Sequence, residues 1–220
     1  MLKGRFLNAP DSSGTSGGGR KLSSKDRGYL VALAVASIVA LGLLLTGLGV
    51  FNQSASTATT TETTSTSYNL AASSVIASAG PYAPAFGYTQ GSPKQLTPHE
   101  TGIETAAYAL FSNQGGALAN MTILVFNSTT SAQTYIDSVI SNTRSLSGYT
   151  DVTSMLTSYQ HYGTCYGYAE SDPEGVGAIA TGLCTKGNIY VQVHLATTSA
   201  LPSAEGDMSS LVGAAYQGIG

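Results

Sequence analysis

An α+β fold held outside a membrane by one N-terminal helix is what the sequence predicts, and three observations predict it. Gly28 to Phe51 (GYLVALAVASIVALGLLLTGLGVF) runs for 24 residues without a charge. Beyond Tyr68, apolar residues alternate in five segments and recur at helical spacing in two, in the order ββα–βββα. The turns between those segments carry Asn, Gly, Asp and Pro, the residues that reverse a chain. The expected domain is an antiparallel sheet of about five strands with two helices packed mainly on one face. The chain divides into a basic tail (1–27), the apolar segment (28–51), a stalk (52–67) and an extracytoplasmic domain (68–220).

The tail is rich in Gly and Ser, has no apolar period and reads as disordered, with its basic residues serving orientation and lipid contact. At 1.5 Å per residue the apolar segment reaches about 36 Å as a helix, enough to span a hydrocarbon core of about 30 Å. Lys3, Arg5, Arg20, Lys21, Lys25 and Arg27 all precede it, and the next basic residue is Lys94. Basic residues stay on the cytoplasmic side, so the N-terminus is expected inside and the domain outside. The membrane is thus the first expected partner, and an uncleaved, single-pass signal anchor in the cell membrane is the expected localisation. A cleavable signal ending near Ser56 is the rival, although signal cores are shorter, about 7 to 15 residues. Gly28, Ala32, Ala36 and Ala40 form a small-residue stripe that permits helix-mediated self-association. No ionisable side chain interrupts the segment, which argues against a proton or ion path.

Ser54 to Ser67 reads SASTATTTETTSTS, a hydroxyl-rich spacer that resembles O-glycosylated stalks and builds no core. Asn52 begins a glycosylation sequon beside it. Asn127 begins another at a strand-to-helix corner, and Asn120 a third on a strand face shared with Leu124 and Phe126. A short helix is expected within Asn69 to Ala79. Pro81, Pro84, Pro93 and Pro98 then impose an irregular path.

Glu104 to Ser112 and Ala117 to Phe126 flank Asn113-Gln114-Gly115-Gly116 and read as a hairpin. Ser131 to Leu146 follows as a helix with Ala132, Tyr135, Ile136, Val139, Ile140 and Leu146 on one stripe, a Ser or Thr at 128–130 as N-cap and Gly148 beyond its end. Three strands come next, at 159–169, 178–185 and 189–196, joined through Ser171 to Gly175 and through Gly187-Asn188. A closing helix from Ser203 to Gln217 carries Met208, Leu211, Val212, Ala215 and Tyr216 at core spacing.

Cys165 and Cys184, the only cysteines, are expected on the outer side of the membrane, where thiols are commonly oxidised. With the first of these later turns centred near Glu174 they fall opposite each other, within reach of a cross-strand disulfide worth about 3 kcal/mol. Alternation in the last strand sends Ile189, Val191, Val193 and Leu195 inward. Carried across the pairings, this puts both cysteines, Gly163, Gly167, Ala178, Ala180 and Gly182 on the inner face. The other face collects Tyr162, Tyr166, Tyr168, Thr181, Leu183, Tyr190, Gln192 and His194. Left uncovered, such a face is a candidate binding surface for an envelope protein or a glycan. Alternatively residues 68–100, rich in Pro and Tyr, fold across it as a second core layer.

Ten Asp and Glu against three Lys and Arg after Phe51 disfavour nucleic-acid binding by the domain. No catalytic residue, cofactor or metal is assigned. His161, Cys165, Cys184 and His194 do not converge on paired strands. There is no GxSxG elbow and no GxxxxGK[ST] loop. The expected function is a non-enzymatic, membrane-anchored binding or accessory module. An extracytoplasmic hydrolase-type enzyme built around His99 or His194 is the alternative with least support. Arg27-Gly28 ahead of the long apolar helix is similar to the prepilin peptidase site of archaeal type IV pilin precursors, a resemblance of about 25 residues that departs at Tyr29. It implies a filament subunit beginning at a processed Gly28 junction.

Overall fold

The hairpin at Asn113 joins two long strands of the sheet in the computed structural model, which describes residues 66–145, 148–171 and 177–220. The apolar segment 28–51, the basic tail, Asn52 and Leu146 lie outside the described residues. Among the described residues no helix is long and apolar enough to cross a membrane. Strand β3 (Ile103–Asn113) pairs with β4 (Leu118–Phe126) in register Ala109 to Met121. The turn closes because Asn113 Oδ1 accepts the Ala117 amide at 2.9 Å, while Gly116 takes φ 84°, a left-handed value that suits glycine.

Three further long strands, β6 (Cys165–Ser171), β7 (Ala178–Lys186) and β8 (Ile189–Thr197), form an antiparallel meander, and β8 also pairs with β4. These five are the strands that alternation marks. The sheet nevertheless has eight strands, because β1 (Tyr88–Gln90) and β2 (Lys94–Leu96) both line the outer edge of β3, and β5 (Thr150–Asp151) lines β6. Each is two or three residues long, too short for a period to register. Tyr159 to Thr164 is not strand: Thr153–Tyr159 forms a 3-10 segment, and β6 starts only at Cys165.

Among the described residues the α-helices are α1 (Ala72–Ala79), α2 (Thr129–Arg144) and α3 (Leu201–Ile219). α1 and α3 share one face, where Val75, Ile76, Met208, Leu211 and Val212 bury Met121, Ile123, Val191, Val193 and Leu195. Missing side chains set the approach. A Cβ on Gly182 would strike Met208 Sδ, and one on Gly218 would strike the α1 backbone at Val75 and Ala79.

α2 overturns the expectation of two long helices on one face. Ala132, Ile136, Val139 and Ile140 pack on Leu124, Phe126, Leu183, Tyr190 and Tyr166, the opposite face of the sheet, giving three layers. Ser128 caps this helix, its Oγ accepting the Ser131 amide at 3.1 Å. The physical reason is visible in β4, whose run Ile123-Leu124-Val125-Phe126 is apolar on both faces and requires cover on both. Residues 68–100 do not supply that second cover. They run to the first face as α1 and to the sheet edge as β1 and β2.

Candidate functional site

Most of the tyrosine face is core. Tyr166 and Tyr168 are 6 % exposed and Tyr190 is 1 % exposed beneath α2. Two of these rings meet another edge to face, Tyr135 on Tyr190 at 5.0 Å and Tyr149 on Tyr168 at 5.0 Å. Tyr190 keeps a polar outlet by donating to Gln192 Oε1 at 3.1 Å. Burial pushes the hydroxyl pKa of Tyr190, Tyr168 and Tyr135 up, so they are neutral packing groups across the working pH range.

Gln192 and His194 lie further along β8, where the surface is only half-buried. His194 Nδ1 shares a 2.7 Å hydrogen bond with Thr181 Oγ1, and burial lowers its pKa to about 4. Across the sheet its partner is Asn120, whose Oδ1 is buried without a hydrogen-bond partner among the described residues. Asn127 is exposed at the β4–α2 corner and accepts from Ser131 Oγ at 3.0 Å.

Tyr162 leaves this group altogether. It sits in the turn before β6, its ring 48 % exposed, and helps to wall a cleft of about 540 Å³ on the α3 side of the sheet. Four separated segments meet there. The 3-10 segment Gly80–Phe86 brings Tyr82 and Phe86, and Pro81 and Pro84 restrict its backbone. The 158–162 turn brings Tyr159, His161 and Tyr162, the end of β7 brings Lys186, and the last turns of α3 bring Tyr216 and Gln217. Gly213 makes the fit possible, because a Cβ there would strike the Tyr159 hydroxyl, which reaches Ser209 O at 3.2 Å.

Lys186 is the pivot of this cleft. Its ammonium lies 4.9 Å from the Tyr162 ring centre, 5.6 Å from that of Tyr216 and 5.8 Å from that of Tyr68, an arrangement favoured by the negative faces of the rings. It donates to Gly220 O at 2.6 Å and Tyr216 O at 3.4 Å, carbonyls at the negative end of α3. Burial lowers its pKa, and these contacts direct the charge into the protein rather than into the cleft. Tyr216 donates in turn to Thr185 O at 2.7 Å and lies 3.9 Å from Cys165 Sγ. Cys165 and Cys184 face each other across β6 and β7 and are bonded, which ties together the two strands that lead into Tyr162 and Lys186.

Sequence reasoning missed Tyr82, Phe86, Tyr159, Lys186 and Tyr216 as one group. The available signal was Lys186, a lone cation ending an otherwise uncharged strand, which must find carbonyls and aromatic rings if the strand is buried. His161 lies against Tyr162 with ring centres 3.7 Å apart and planes tilted by 41°, and among the described residues no group of three or more His, Cys, Asp and Glu is placed to hold a metal ion.

No protein-family model matches the chain, and no curated protein matches it. Among solved structures, the extracellular domain of PknH from Mycobacterium tuberculosis is similar, with a TM-score of 0.47 and 9 % sequence identity over 64 % of this chain and 90 % of that one.

Proposed function

We propose that the chain is a non-enzymatic binding module, anchored outside a membrane by residues 28–51, and that its aromatic cleft takes a neutral saccharide ring. One observation carries the reading: Tyr82, Phe86 and Tyr162 hold 44 %, 43 % and 48 % of their surface in solvent around a single concavity. Folded chains bury large rings where they can, so exposed rings converging on a cleft mark a surface kept for a ligand. The described residues that line it include no Asp, Glu or Arg, and the ammonium of Lys186 is held by carbonyls. A neutral ligand with an apolar face and a polar rim suits such walls. A sugar stacks its C–H face on aromatic rings and offers hydroxyls to Gln217, Ser158 and His161 at the margin.

The full-length protein in a sugar-free detergent, titrated with neutral mono- and disaccharides, tests this. The chain has 13 Tyr and no Trp, so intrinsic emission reports on the tyrosines alone. A saturable change is expected, and replacing Tyr162 with Ala weakens binding by about tenfold, the scale of one aromatic anchor. Absence of saturable binding across the panel, or binding indifferent to both Tyr162→Ala and Phe86→Ala, sinks the reading.

A further inference from the structure

We infer that the sugar taken by this cleft is the headgroup of a neutral glycolipid in the membrane that anchors the protein. The inference rests on the saccharide reading above and adds the source of the sugar. It comes from where the chain enters the domain. The Tyr68 amide donates to Asn188 Oδ1 at 2.6 Å, and Asn188 Nδ2 returns a hydrogen bond to Tyr68 O at 3.1 Å. Asn188 also donates to Phe126 O at 2.7 Å, so the turn between β7 and β8 clamps the incoming segment. Thr66 passes directly over Gly187, where a Cβ would collide with its carbonyl.

That turn adjoins Lys186, and the Tyr68 and Tyr162 rings stand 5.8 and 4.9 Å from the same ammonium. The incoming chain and the cleft therefore occupy one end of the sheet. Only residues 52–65, fourteen positions rich in Ser and Thr, separate that end from the apolar segment. Such a length spans about 20 Å as a random coil and at most about 50 Å when taut. A headgroup in the same bilayer then meets the cleft at the high effective concentration of a tethered pair.

The chemistry of the rim agrees with that setting. Tyr and other amphipathic aromatics sit favourably at the membrane–water boundary, and Tyr82, Phe86 and Tyr162 are the exposed rings here. The absence of Arg from the described lining and the engaged state of Lys186 speak for a glycosyl rather than a phosphate headgroup. The two carbonyls already occupy the charge that a phosphate would need.

The test uses the full chain in phosphatidylcholine nanodiscs containing a neutral diglycosyl lipid with a photoreactive headgroup. Labelling is expected on the peptides that hold Tyr82 to Phe86 and Ser158 to Tyr162, and Tyr162→Ala reduces it by about tenfold. A variant with residues 52–65 repeated four times is expected to label about twofold less, because headgroups fill the plane and their effective concentration at the cleft falls only with the inverse square root of tether length, while its affinity for the free disaccharide is unchanged. Free-sugar binding that persists without glycolipid labelling, or labelling indifferent to stalk length, overturns the membrane source and leaves the saccharide site intact. Loss of free-sugar binding in the wild-type protein overturns the site itself, and the inference with it.

Discussion

Tyr166, Tyr168 and Tyr190 lie sealed under α2, whereas Tyr82 and Tyr162, on the α3 side of the same sheet, keep nearly half their surface in water. Residue type does not separate the two groups. The difference is what sits above them. α2 lays an unbroken stripe of Ala132, Ile136, Val139 and Ile140 on its tyrosines, whereas α3 ends at Ile219, beside the cleft that its last turns help to wall. On one side the rings act as packing volume, and on the other they form walls around space. The two sets should therefore respond oppositely to the same truncation.

The largest effect is expected under α2. Replacing Tyr190 with Ala removes a ring packed against Tyr135 and should cost about 3–5 kcal/mol, read from urea or guanidinium denaturation. A loss below about 1 kcal/mol would mean that α2 does not form a core layer. Next comes the disulfide: Cys165→Ala combined with Cys184→Ala is expected to lower stability by about 3 kcal/mol. It should also loosen the cleft, because the Tyr216 hydroxyl rests against Cys165 Sγ. Saccharide affinity unaffected by the double substitution would separate the disulfide from the site.

His194 distinguishes the sealed half of the α2 face from its half-open end. In the folded state it stays neutral down to about pH 4, while in the unfolded chain it takes up a proton near 6.5. Between those values the unfolded state binds the extra proton, so stability falls as pH drops from 6.5 towards 4, by roughly 2 kcal/mol for this group. His194→Gln is expected to flatten that part of the stability profile, and a profile left unchanged would count against the neutral imidazole held by Thr181. The smallest stability effect belongs to Tyr162→Ala, about 0.5 kcal/mol or less, alongside the tenfold loss of saccharide binding expected above. A stability loss as large as that of Tyr190→Ala would make Tyr162 another packing residue and erase the contrast.

How much of this was legible in the sequence varies by element. Asn113 to Gly116 and Gly187-Asn188 announce their hairpins. The turn expected around Glu174 lies outside the described residues, but the strands on either side of it pair with Cys165 opposite Cys184, the register that such a centre implies. The α2 stripe was equally readable as far as Ile140, and its cap was narrowed to a Ser or Thr at 128–130, of which the structure uses Ser128. β1, β2 and β5 were not, because two or three residues carry no period. Extending β6 backwards through Tyr159 to Thr164 puts Tyr162 on the wrong face, because it shares the even parity of Tyr166 and Tyr168 and so imitates a strand residue.

By itself the sequence determined which side of each long element is apolar, where the main chain reversals fall and which cysteines face each other, because side-chain period and turn chemistry are local properties. Only the tertiary structure decided that α2 crosses to the tyrosine face and that Tyr82, Tyr159, Tyr162, Lys186 and Tyr216 converge. An apolar stripe states that it must be covered but not by what. The partner is chosen by competition among all the apolar surfaces of the chain, and by the small residues, Gly182, Gly213 and Gly218, that let particular pairs come close.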